Sequence, residues 1–367
     1  MIGPEHEFSI NDENFVPLPI SDHIIKKIRG RIANEAKLEC GVVVGKELQK
    51  HVIELKPERP YYSLEEFEEK MQEGVLELMS YLDGYRLLGL GMHPLLKPEE
   101  AKVWDHRDRK IYEAYDRIFN IKQHGWVNIQ SFQLNLPYKN EKEAIEIHNK
   151  LRILIPYLVA ISSSSPICEG KPFYVGSRIY FYRTNQIKIP LICNDVIPEK
   201  INSIEEYKRE ILGRIYSELK KVNAEVLCRE WVNSRGVIFR FTRNCLEIKA
   251  MDEQECIKSD VALASLVISL LRSDLNEIDD QELKKRLDSA MIHGTREMKS
   301  ELRELLKKAE KSAEKEERKY LRIIKDRIEE GSLGEKIIGK IKEFSREEII
   351  KICDLLSRCT EKNEVFK

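Results

Sequence analysis

The sequence predicts an α+β protein whose largely antiparallel sheet is packed with helices and followed by a helical carboxyl-terminal segment. Short segments that alternate apolar and polar residues lie among long segments whose apolar residues recur at helical spacing. Two of the alternating segments, GVIFRFTR (236–243) and CLEIKAM (245–251), meet at Arg243 and Asn244, as the arms of a hairpin would. From Asp279 to Lys367 the chain is almost wholly helical in pattern and heavily charged.

The elements follow in order. The opening GPEHEF reads as a strand, which sends Glu5 and Glu7 to one face and His6 and Phe8 to the other. Residues 21–37 carry isoleucines at helical spacing behind a possible cap at Ser21, and residues 63–82 repeat the pattern. HVIELK (51–56) and SFQLNLPY (131–138) alternate as strands, and SRIYFYR (177–183) reads as a third. Helices are expected over 141–162, over 203–221 behind Ser203, and over 259–272 behind Ser259. If the first and last strands share one sheet, residues 1–275 form a single α+β domain. Residues 276–367 then form a charged helical region docked on it through a stripe of Leu302, Leu305, Leu306, Ala309, Ala313, Tyr320, Ile324 and Ile328.

Composition narrows the function classes. Lys+Arg 62 against Asp+Glu 63 leaves a formal net charge of -1, which argues against a general footprint for nucleic acid or an anionic membrane. Mixed charge at 34% suits surface ion-pair networks. The 8 cysteines are scattered, with no CxxC pair, and read as reduced thiols. With no signal segment ahead of the first strand and no apolar run long enough for a membrane span, a cytoplasmic protein is expected. Trp104, Trp126 and Trp231 read as core anchors rather than stacking platforms for a base.

Each strand is apolar on one face and offers charge or amide on the other. If the strands adjoin, the polar faces make a floor of Glu5, Glu7, Glu54, Gln133, Asn135, Arg240, Glu247 and Lys249. Carboxylates crowded at about 4 Å repel by several kcal/mol at an effective dielectric near 20, and divalent cations relieve this. Oxygen ligands without a Cys/His set point to Mg²⁺ or Mn²⁺, which complete their shell with water and phosphate. Arg240 and Lys249 beside the acids suit the phosphates of a nucleotide. There is no GxxxxGK[ST] and no GxGxxG.

These residues resemble the glutamate–cysteine ligase family of the second type, carboxylate–amine ligases that share the glutamine synthetase fold. GPEHEF resembles its amino-terminal Glu-x-Glu strand, and KELQKHVIELKP its next acidic segment, with Glu54 the best-matched acid and Glu47 a weaker one. GMHP (91–94) is similar to the Gly-x-His-Pro loop near the substrate. SFQLNLPY, SSSSP (162–166) and SRIYFYR follow in the family's order. The hairpin matches most closely, through Arg240, Phe241, Glu247, Ile248, Lys249 and Asp252. Two positions depart from the family pattern: Lys249 stands where Arg is usual, and Gln133 where many members have His.

The resemblance implies ATP-dependent amide formation through an acyl phosphate, with glutamate or a relative as the carboxylate and an amino acid or small amine as the acceptor. The expected assignments are Glu5, Glu7, Glu54 and Glu247 for Mg²⁺, Arg240 and Lys249 for catalysis, and Arg240, Gln133 and Lys249 for ATP. His93, Asn135 and Arg178 are expected to bind substrate. The expected partners are small molecules, and a homo-oligomer is compatible with the sequence. Two alternatives stay open: a guanidino-type phosphotransferase on the same fold, and a non-catalytic metabolite-binding paralogue.

Overall fold

The computed structural model describes residues 1–367. Eight strands form the main sheet: β1 (Gly3–Asn11), β2 (Glu35–Lys37), β3 (Val42–Lys46), β4 (Val52–Pro57), β5 (Arg86–Leu88), β6 (Ser131–Pro137), β9 (Val237–Arg240) and β10 (Cys245–Asp252). A separate small hairpin pairs β7 (Ile167–Cys168) with β8 (Lys171–Pro172). The order across the main sheet is β2-β3-β4-β1-β6-β10-β9, with β5 pairing the Ser9–Asn11 end of β1 on the edge opposite β4, and every pairing is antiparallel. All five strands that carry the expected floor are therefore contiguous, with β6 at their centre.

Alternation then decides the two faces. His6, Phe8, Ile53, Leu55, Phe132, Leu134, Leu246 and Ile248 are buried on the back. That face packs on the helices Leu64–Ser80, Glu141–Ser162 and Ile257–Leu271. His6 stacks on Phe132 at 5.1 Å and lies 5.7 Å from Phe67 of the first of these helices. Glu5, Glu7, Glu54, Gln133, Asn135 and Glu247 take the front. Register fixes their neighbours: Glu7 lies opposite Glu54, Glu5 opposite Gln133, and Asn135 opposite both Gly3 and Glu247.

The carboxyl-terminal helices are integral to the packing. Lys299–Ser312 and Lys315–Glu330 lie on Ile257–Leu271, burying Leu302, Leu306, Ala309, Ala313, Tyr320, Ile324 and Ile328 in the same core as the sheet's back face, while Leu305 is half-buried at its edge. Leu333–Lys340 and Arg346–Lys362 close a second apolar cluster with Phe15, Leu88, Leu90 and Ile167. No helix is long and apolar enough to cross a membrane. All 8 cysteines are free.

Three sequence expectations are corrected. SRIYFYR is a helix, Ser177–Thr184, not a strand. Its β-favouring aromatics misled, but Arg178, Ile179 and Tyr182 all face inward at helical spacing, against the short helix His124–Val127 and the helix Asp280–His293. The helix from Ser21 stops at Arg29 because Gly30 takes a left-handed conformation (φ 82°) and its N–H closes on Lys26, leaving Glu35–Lys37 free to form the edge strand. Ser21 and Ser259 lie inside their helices rather than capping them, whereas Ser63 and Ser203 do accept the N–H of Glu66 and Glu206. The segment 203–221 is helical but contains a π-helical turn over Tyr207–Gly213.

Candidate active site

Each acid of the floor is held by a different local device. Glu7 is buried, and its carboxylate accepts the Ser131 N–H at 2.7 Å, the Ser131 hydroxyl at 3.1 Å and the Gln133 amide at 2.8 Å. Beyond Glu5 the ladder between β1 and β6 opens, so the Glu7 N–H has no strand partner; it donates instead to Glu253 at 3.0 Å. Glu5 accepts from Asn135 at 3.2 Å and pairs with Arg243. Glu54 pairs with Lys56, two residues along the same strand face, at 2.6 Å. Glu247 pairs with Arg240, and the Lys249 ammonium stands 3.9 Å away.

Electrostatics identify where positive charge is lacking. Burial, with the charge of Glu54 added, pushes the Glu7 carboxyl up to about 8. Burial also raises Glu54, against the pull of Lys56, and raises Glu47, which feels both Glu7 and Glu54. Three carboxylates thus repel one another at the junction of β3, β4 and β1. A hard divalent cation fits this donor set chemically. No three of the floor acids yet bring oxygens within 4.8 Å of one another, because Lys56, Arg240 and Arg243 occupy them singly. A carboxylate has about four lone-pair sites, so these contacts leave coordination capacity.

The remaining expected residues are placed as follows. Arg178 is 1% exposed; its Nε donates to Asp252 at 2.7 Å and its Nη2 to the Lys249 carbonyl at 3.2 Å. Asp252 in turn accepts the Ser164 N–H and the Ser165 hydroxyl, at 2.9 and 2.7 Å, so the serine run holds the arginine's partner. His93 is fully enclosed, and its Nδ1 accepts the N–H of Leu95 and Leu96 at 3.2 Å, which makes it a brace for its own loop. Sequence reasoning missed Lys56, Arg243 and Glu253. The first was legible, since alternation puts Lys56 beside Glu54; the other two depend on how β1, β6 and β10 assemble.

Beside Glu5 and Asn135 a cleft of about 570 Å³ opens at the ends of the strands, lined by Arg29, Lys37, Lys56 and Arg243 and by Glu35 and Glu58. Its mixed charge complements a zwitterion. A mixed-donor trio elsewhere, His124, Cys168 and Glu169, is poorly set for metal. The Asn128 amide is oriented by the His93 peptide, accepting its N–H and donating to its carbonyl, and so presents a donor to His124 Nδ1 at 3.2 Å. A neutral His124 then carries its proton on Nε2, pointed at Glu169 at 2.9 Å.

Comparison with known proteins agrees with this architecture. A glutamate–cysteine ligase of Francisella tularensis, crystallised in complex with AMP, superposes with a TM-score of 0.71 at 12% identity, covering 98% of this chain and 88% of that one. A bifunctional glutathione synthetase of Pasteurella multocida gives 0.60 at 14% identity over 97% of this chain and 52% of that one. At such identities the likeness is one of fold. An uncharacterized protein of Archaeoglobus fulgidus is 66% identical over 366 residues, spanning 100% of both chains. Residues 1–355 match glutamate–cysteine ligase family 2, and the chain belongs to that family.

Proposed function

We propose that the protein is an ATP-dependent carboxylate–amine ligase, most closely a γ-glutamyl ligase, that works through an acyl phosphate. The observation that carries this reading is the front face of the sheet, where Glu5, Glu7, Glu54 and Glu247 lie on adjoining strands with Arg240 and Lys249 beside them. Family membership and a fold shared with an AMP-bound ligase support the use of ATP.

In this reading Glu5, Glu7, Glu54 and Glu247 hold Mg²⁺, which when bound neutralises and orients the triphosphate. Arg240 and Lys249 stabilise charge on the γ-phosphoryl group as it passes to the substrate carboxylate; a P–O bond to that oxygen forms and the bond to ADP breaks. Gln133 fixes the Glu7 carboxylate and faces the same nucleotide. The amine nitrogen then attacks the acyl carbon, loses a proton and expels phosphate, which leaves with one oxygen of the original carboxylate. Asn135 and the mixed-charge cleft beside it receive the amino-acid substrate, and Arg178, held by Asp252, supplies positive charge that acts on Glu7. His93 acts through the loop it braces.

The test is ADP release from ATP and Mg²⁺ across a panel of carboxylates crossed with amines, with Glu7→Gln as the control. Release that needs both substrates and disappears in the variant supports the ligase. Release with a guanidino acceptor and no amide product assigns a phosphotransferase instead, and no release with any pair favours the metabolite-binding reading.

A further inference from the structure

Continuing the register of β1 on β6 past Glu5 and Gln133 would set Glu7 opposite Ser131, yet the two strands do not pair there. The two N–H groups that such a rung would use are both taken by carboxylates. The Ser131 N–H donates to the side chain of Glu7 at 2.7 Å, and the Glu7 N–H donates to Glu253 at 3.0 Å. One acid of the floor thus spans the gap in the sheet. A second acid, outside the floor, holds the main chain from which the first one springs.

Glu253 is well placed for that task. Its side chain is closed to solvent. One carboxylate oxygen takes the Glu7 N–H and the other lies 3.2 Å from His6 Nδ1, so a single side chain grips two successive residues of β1. β10 shifts register between Ile248 and Met251, an irregularity that re-aims the residues after it. Beyond the shift Asp252 accepts from Arg178 at 2.7 Å while Glu253 accepts from β1, so neighbouring residues hold two of the site's charged groups. Had the strands paired, the Ser131 N–H would be spent on the ladder, and the Glu7 carboxylate would lose the shortest of its three hydrogen bonds.

We propose that Glu253 is a positioning residue for Glu7. By standing in for a ladder bond it keeps β1 and β6 apart at Ser131, and so fixes the Glu7 carboxylate where it shares a divalent cation with Glu54, its neighbour across β1 and β4. The assignment rests on the ligase reading, since it takes Glu7 as a metal ligand. Hydrogen-bond partners that orient the ligands of a metal commonly carry about 10–100-fold in its affinity. In this geometry the reach of Glu253 to the Glu7 N–H matters more than its charge.

Two conservative variants separate reach from charge. Glu253→Asp keeps the charge but draws the carboxylate back by one methylene, away from the Glu7 N–H. Glu253→Gln keeps an acceptor oxygen at the same reach and removes the charge, and a urea transition confirms that each variant is folded. Titration with Mn²⁺ in the absence of nucleotide, read by electron paramagnetic resonance, is expected to show Glu253→Asp weakened about tenfold or more and Glu253→Gln within about threefold of the wild type. Affinity unchanged in Glu253→Asp, or weakened as much or more in Glu253→Gln, would overturn the assignment and leave Glu253 a partner of His6 alone. Wild-type protein that binds no Mn²⁺ would overturn it together with the metal floor. The ligase reading fails separately, when protein that does bind Mn²⁺ releases no ADP with any substrate pair.

Discussion

Arg178 and Asp252 are both almost fully buried, so their pairing is the only charge compensation in contact, added to the hydrogen bonds from Ser164 and Ser165 and to the Lys249 carbonyl, for two charges removed from water. Arg178→Met is expected to cost about 3–5 kcal/mol, measured by urea unfolding, because Asp252 is then left buried and unpaired. The same carboxylate explains Gly91: a Cβ there would lie 2.3 Å from Asp252 Oδ2. Gly91→Ala is expected to destabilise by about 1–3 kcal/mol and to impair activity through Arg178. Behind the floor His6 faces Glu253 at 3.2 Å and Asp260 at 3.3 Å, with the Glu255–Arg327 pair beyond them. Desolvation opposes its charge, but Glu253 and Asp260 together push its pKa up to about 9. A folded-state pKa above the unfolded 6.5 means stability that is complete below that pH and lost as pH rises toward 9. Burial raises Glu253 and Asp260 too, and a raised carboxyl gives a slope of the same sign. Unfolding free energy is therefore expected to fall between pH 6.5 and 9, with the His6 share on the order of 3 kcal/mol. His6→Phe is expected to flatten that limb.

The strands show which local signals carry meaning and which do not. Alternation alone assigns Glu5, Glu7, Glu54, Gln133, Asn135 and Glu247 to polar faces, and the structure puts those faces on one side of one sheet. That the strands adjoin was not legible, since pairing between residues as distant as Gly3 and Asn135 is a tertiary event. Ser177–Thr184 was misread because aromatic and β-branched residues favour strands until packing decides otherwise. The helix after Ser21 was overextended because a single glycine inside an apolar pattern is a weak stop signal, whereas its left-handed geometry is a strong one. Caps differ in the same way: Ser63 accepts the Glu66 N–H at 3.0 Å. Ser63→Ala is expected to cost about 1 kcal/mol, read as a shift in unfolding midpoint, while Ser21→Ala gives no comparable cap loss.

At the scale of the whole molecule, one apolar core runs from Ile2 to Ile328 and binds the sheet to the carboxyl-terminal helices. Arg272 grips Glu317 with both terminal nitrogens, at 2.8 and 2.7 Å, and Arg327 reaches Glu255 at 2.5 Å just behind the floor. The helical region thus supports the segment 252–255 that supplies Asp252, Glu253 and Glu255. A chain ended at residue 275 is expected to show no cooperative unfolding transition by circular dichroism, since it exposes the apolar face of Ile257–Leu271 and strands Glu255. The function proposed for the intact fold makes one demand that no binding protein or simple phosphotransferase shares. Glutamate labelled with heavy oxygen in its side-chain carboxylate, incubated with ATP, Mg²⁺ and the accepted amine, should pass one labelled oxygen to the phosphate released. Label in phosphate, dependent on the amine and absent in Glu7→Gln, is the result predicted; amide formed with unlabelled phosphate would contradict the acyl-phosphate mechanism at its centre.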